Sequence, residues 1–123
     1  MPFPFEKLEV YQTALAFVGN IEQLCSELKG KVSYPILDQL TRAAISIPLN
    51  IAEGNGRKNA KEKFQFLRVA RGSIFETVAI HQILKSRNHV LPDRYDTLYG
   101  ELETQIKMVT NLAKFLDENA PVT

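Results

Sequence analysis

Residues 39–57, QLTRAAISIPLNIAEGNGR, constrain the fold more than any other stretch of this chain. They read as a helix that is apolar almost all the way round, with one polar row and Pro48 in its middle. A helix with no fully wet side has to bury against more than one neighbour. In a chain of 123 residues that requirement points to assembly with further copies of itself.

The length suits a single domain, residues 1–123, with one core. No apolar run approaches the ~20 residues of a membrane span. The start, MPFPFEKLEV, has neither the basic nor the apolar region of a secretory signal, so no membrane is expected and the cytoplasm is the default location. Cys25 is the only cysteine, which rules out an internal disulfide and a cysteine-based zinc site. Its place on an apolar helical stripe makes it a small core residue rather than a nucleophile.

The spacing predicts four helices. The first runs from about Phe5 to Lys29, with Tyr11, Ala14, Val18, Ile21, Cys25 and Leu28 three or four residues apart and Leu8, Leu15, Phe17 and Leu24 widening that seam. Gly30 suits the position just past its end. The second begins near Ser33 or Pro35 and reaches about Glu53, with a seam of Leu37, Leu40, Ala44, Ile47 and Ile51. Pro48 lacks an N–H and crowds the carbonyl of Ala44, so a kinked helix is expected, or else a separate short helix starting there. Gly54-Asn55-Gly56 ends the element.

The third helix opens on Asn59, with Glu62 three residues on in an asparagine variant of the capping box. Phe64, Leu67, Ile74, Val78 and His81 follow one seam, and Phe66, Ala70, Ser73, Thr77, Ile80 and Leu84 another. The small Ala70, Gly72 and Ser73 are expected to admit a close neighbour, with Ala43 and Ala44 opposite. The fourth helix starts at Pro92 and Asp93 and carries a seam from Tyr95 through Leu98, Leu102, Ile106, Val109 and Leu112 to Leu116. Residues 119–123 are expected to fray. Short loops between long helices make this an all-α, antiparallel up-and-down four-helix bundle.

Three segments, FEKLEVYQTA at 5–14, QLTRAAISIPLNIAEGNGR at 39–57 and FLRVARGSIFETVAI at 66–80, resemble the four-helix-bundle family of proteins encoded in intervening sequences of bacterial 23S rRNA genes. That family is similar in turn to the accessory proteins of diversity-generating retroelements. The resemblance implies an antiparallel bundle assembled as a homopentamer. For the retroelement relatives it also implies binding to nucleic acid and to a reverse transcriptase. Leu49 departs from the pattern, standing where a smaller or polar residue is the norm.

Two constellations carry the functional reading. Asp38, Arg42, Ser46, Asn50 and Glu53 form a polar row along the second helix. One reading is a partly solvated stripe with an Asp38–Arg42 pair. The other is a buried helix or subunit interface in which Arg42 meets a carboxylate such as Glu76 and sets register. Pro48 and Gly54 complete this interface signature. The second constellation is basic: Arg57, Lys58, Lys61, Lys63, Arg68 and Arg71 stand against Glu62 alone. Residues 57–90 hold eight basic and two acidic side chains, whereas 91–123 hold three and six. A helix start favours acidic residues, so a basic one suggests a phosphate-facing patch, repeated in each subunit of a ring. A solvated helix start is the plain alternative. Phe64 and Phe66 fall on seams, which leaves backbone contact without sequence preference as the expected mode on RNA or DNA.

Enzyme readings find little support. Neither His81 nor His89 has a Glu three residues before it, as a di-iron bundle requires. No arginine stands ahead of either histidine where the corresponding helical ribonucleases need it, since Ile74, Phe75 and Glu76 hold those positions for His81 and Gln82, Ile83 and Leu84 for His89. No phosphate-binding glycine loop is present. His81 reads as a seam residue, and no cofactor or metal is expected. The sequence therefore predicts a noncatalytic, homo-oligomeric assembly or adaptor protein. It would present its basic surface to nucleic acid or to a nucleic-acid-processing protein such as a reverse transcriptase. The alternative is a purely structural or protein-binding oligomer.

Overall fold

A computed structural model describes residues 2–119. After a short 3-10 turn, Pro4–Lys7, the chain forms α1 (Glu9–Leu28), α2 (Tyr34–Asn55), α3 (Ala60–Ser86) and α4 (Pro92–Glu118). Each helix packs on its neighbour in sequence and α4 closes on α1, so the antiparallel four-helix bundle is as the spacing predicts. Among the described residues there is no β-strand, and no helix is long and apolar enough to cross a membrane. Residues 120–123, where fraying was expected, lie outside the described residues.

The helix ends follow from local chemistry. Gly30, with φ of 83°, turns the chain out of α1 in a left-handed conformation that a side chain would resist. Asn59 caps α3, its side-chain oxygen accepting from the N–H of Glu62 at 2.8 Å. At the other end of α3, Asn88 takes φ of 60°. The N–H of His89 reaches the carbonyl of Leu84 and that of Asn88 the carbonyl of Lys85, which together satisfy the last turn. Pro92 opens α4, where its missing N–H costs nothing.

The core is one cluster drawn from all four helices, with Phe17, Ile21, Leu40, Ile47, Ile74 and Leu102 among its fully covered members. Each such side chain contributes about 1.5–3 kcal/mol by leaving water. The buried face of α1 lies largely within the predicted stripe, on Ala14, Ile21 and Leu28 together with two of the residues expected to widen it. Phe17 and Leu24 are fully covered, whereas Tyr11, Val18 and Cys25 pack at its margin. The α1 helix also starts later than expected, because residues 4–7 wind more tightly.

α2 runs unbroken through Pro48, so no separate helix begins there. Its closest partner is α3. Ala43, Ala44 and Ala70 are buried as anticipated, and the hydroxyl of Ser73 donates to Ser46 Oγ at 2.7 Å. The anticipated contact at Gly72 is absent, since a Cβ there would meet nothing within 4 Å. The close approach falls on Gly54 instead, where a Cβ would lie 2.9 Å from Cβ of Phe66. The triplet Gly54-Asn55-Gly56 is thus split in function, with Gly54 inside the last turn of α2 and Gly56 capping it.

Outward surfaces remain apolar in places. Leu49 on α2 is 62% exposed and Ile45 half-buried. A lone bundle therefore does not hide the face that the sequence marks as too apolar for water.

Candidate nucleic-acid interface

The six basic side chains cluster at the α2–α3 turn and along the first half of α3, but they face different ways. Lys58, Lys61 and Arg68 are exposed, and Lys61 and Arg68 stand seven residues apart on one side of α3. Arg57 lays its guanidinium over the ring of Phe66, 4.8 Å from its centroid. Arg71 reaches toward α4, donating to the hydroxyl of Thr110 at 3.3 Å, and also lies over the ring of Phe75.

Lys63 is the exception. It is half-buried and its ammonium donates to the backbone carbonyl of Asn55 at 3.0 Å. A cation at that place satisfies an orphan carbonyl and suits the negative end of the α2 dipole. Lys63 holds the α2–α3 corner together and is not part of an outward patch, contrary to the sequence reading. None of the six is in an ion pair among the described residues, where the ion pairs are Asp38–Arg42 and Glu27–Arg94.

Phe64 and Phe66 lie half-buried along α3, as their seams required. Phe75, which neither seam contained, is 54% exposed beneath Arg71. An aromatic ring therefore does stand at the edge of the basic region. Its signal was the outward spacing Val69, Phe75, Ile83, which two inward seams on the same helix had masked.

The polar row on α2 divides into three parts. Arg42 donates from Nε to Asp38 at 2.9 Å, with the arginine side chain 79% exposed. Such a pair contributes a few tenths of a kcal/mol. Within one chain this is the solvated stripe, and Arg42 does not meet Glu76, which is itself exposed. The Asp38 carboxylate one turn earlier on the same helix is simply nearer. Ser46 and Asn50 are half-buried against α3, the Asn50 amide donating to the carbonyl and hydroxyl of Ser46. Glu53 is exposed, and Pro48 and Gly54 are buried.

His81 lies in the core, fully covered. It donates from Nε2 to the carbonyl of Tyr95 at 3.1 Å and stacks on the Tyr95 ring. Burial pushes its pKa below the ordinary value, with the nearby Lys85 charge adding to that and the Tyr95 bond opposing it. It is placed as a packing residue, out of reach of solvent. Cys25 is half-buried against Thr41, and burial raises its thiol pKa. Among the described residues no group of three or more His, Cys, Asp or Glu side chains is placed to hold a metal ion.

A groove of about 790 Å³ separates the start of α4 from α1, lined by Asn20, Gln23, Arg94, Thr97 and Glu101 among others. Asn20 donates to Glu101 at 2.7 Å, and burial raises the pKa of that carboxyl. The sequence reading gave no weight to this pair, because its two members lie 81 residues apart and only the closing of α4 on α1 joins them.

Among known structures, the chain is similar to a Bacteroides thetaiotaomicron protein of unknown function from the S23 ribosomal protein family, solved at 1.70 Å. The two share 20% identity over 85% of this chain and 98% of the other, with a TM-score of 0.81, which speaks to the fold. No curated protein matches. Residues 6–111 match the family described as 23S rRNA-intervening sequence protein. The match takes in α1, α2, α3, most of α4 and both constellations, and the chain belongs to that family.

Proposed function

We propose that this protein is a noncatalytic homo-oligomeric adaptor. Its ring, pentameric as the family resemblance implies, displays a basic surface to RNA or DNA or to a protein that processes them. The observation that carries this reading is the free, outward placement of Lys58, Lys61 and Arg68 beside Arg57, without a carboxylate partner among the described residues. The backbone donors of the first turn of α3 lie beside these cations and suit phosphate. The outer face of α2, with Leu49 and Ile45, supplies apolar surface for closing the ring. Repetition around a ring multiplies a modest affinity per subunit.

The test is binding to a duplex across a salt series. Log affinity is expected to fall linearly with log salt, by about 0.9 per neutralised phosphate. Changing both Lys58 and Lys61 to Glu is expected to flatten that slope by about two such contacts while leaving the oligomer unchanged. Unaltered affinity and slope would reject the surface. Lys63 is left in place because its ammonium is engaged with Asn55.

A second reading, an oligomer that binds only protein, draws on Arg57, Lys63 and Arg71, each of which has a partner within the fold. It predicts no duplex binding at any salt.

A further inference from the structure

The outward side of α3 carries apolar side chains that the bundle core does not cover, with the Arg71 guanidinium over the ring of Phe75 among the described residues. Val69, Phe75 and Ile83 are 51%, 54% and 42% exposed. Gly72 stands in their midst, itself exposed, and a Cβ at that position would meet nothing within 4 Å. A glycine inside a helix weakens it, and nothing within this fold requires one there. Gly54 differs, because Phe66 leaves it no room for a side chain. Gly19 and Gly100 also face open space. Around Gly100 the exposed neighbours are the polar Asp96, Glu103 and Thr104. Gly19 has Leu15 as its one exposed large apolar neighbour on α1.

Charge completes the pattern. Arg68 and Glu76 stand four residues to either side of Gly72, both exposed, and neither is in an ion pair among the described residues. About Gly72, Val69 and Phe75 stand three residues to either side and Arg68 and Glu76 four, so this part of the face is self-complementary, and Ile83 lies beyond it.

We propose that this face of α3 docks antiparallel on the same face of a second copy, across a two-fold axis at Gly72. The operation sets Gly72 against Gly72, where the missing side chains let the backbones approach. It brings Arg68 of one copy to the level of Glu76 of the other, and Val69 to the level of Phe75, each pairing occurring twice. A contact of this kind closes on two copies. It cannot generate a five-membered ring, so it is a second interface that pairs copies from different rings, and it does not rest on nucleic-acid binding.

Cross-linking tests it directly, because a residue on a two-fold axis meets itself. In the full chain with Cys25→Ser, Gly72→Cys is expected to form a disulfide-linked pair under mild oxidation. The pair should appear about tenfold faster than one from Gly100→Cys in the same background. Equal or slower linking overturns the proposal. Charge exchange tests it in the reduced protein, by sedimentation without nucleic acid. Arg68→Glu and Glu76→Arg alone are each expected to weaken pairing about tenfold, since each sets like charges together at two places. The double variant is expected to recover to within about threefold. A double variant as weak as the singles overturns the proposal. Duplex binding by the parent chain is read separately through Lys58 and Lys61, so either result can fail without the other.

Discussion

A glycine and a histidine show how much depends on single positions. Gly54 brings the end of α2 against Phe66, and a methyl group there would sit 2.9 Å from that side chain's Cβ. Gly54→Ala is expected to destabilise the bundle by about 1–3 kcal/mol, since overpacking outweighs the helix propensity that alanine gains. A urea midpoint equal to or above that of the wild type would contradict the close approach.

His81 ties stability to pH. Its folded-state pKa lies below the ordinary value, mainly because the ring is buried. Protons therefore favour the unfolded chain. The neutral ring's contribution is complete above about pH 6.5 and is lost as pH falls from there through the folded-state value. His81→Gln keeps a donor for the Tyr95 carbonyl and does not titrate. Between about pH 8 and about pH 5 its urea midpoint is expected to fall less than that of the wild type. Equal falls would show that His81 does not bind its proton differently on folding.

Among the elements, α3 carries the most information and is the hardest to read. Its start is explicit, with Asn59 accepting from Glu62 N–H. Asn59→Ala is expected to cost about 1 kcal/mol, measurable by thermal or urea unfolding. Its sides are less plain, because apolar residues occupy both the inward seams and the outward stripe. The sequence therefore gives the core of α3 correctly and hides Val69, Phe75 and Ile83. Gly72 was legible as a small residue awaiting a neighbour, but not as one that faces out of the chain, since spacing alone does not say which side of a doubly apolar helix meets its own bundle. On α2, the proline, the buried seam and the exposed Leu49 were all visible in order. The partner of Arg42 was not, because a local carboxylate at i−4 competes with any distant one and only geometry ranks them. Lys63 was unreadable for the same reason. Its target is a backbone carbonyl, which leaves no trace in composition.

At the scale of the molecule, basic and apolar surfaces adjoin along α3. The basic segment of the chain, residues 57–90, meets solvent chiefly through the start of α3, while Leu49, Val69 and Ile83 leave apolar surface on the outer sides of α2 and α3. The first arrangement suits phosphate and the second suits further copies of the chain. Function follows only if the second precedes the first, because a single subunit offers few cations and a ring offers several sets. The account thus stands on self-assembly, and mass in solution is its most direct test. Sedimentation equilibrium of the full chain over a micromolar dilution series is predicted to give a stable multiple of 13.9 kDa that persists at the lowest concentrations. A well-behaved species of 13.9 kDa throughout the series would contradict it.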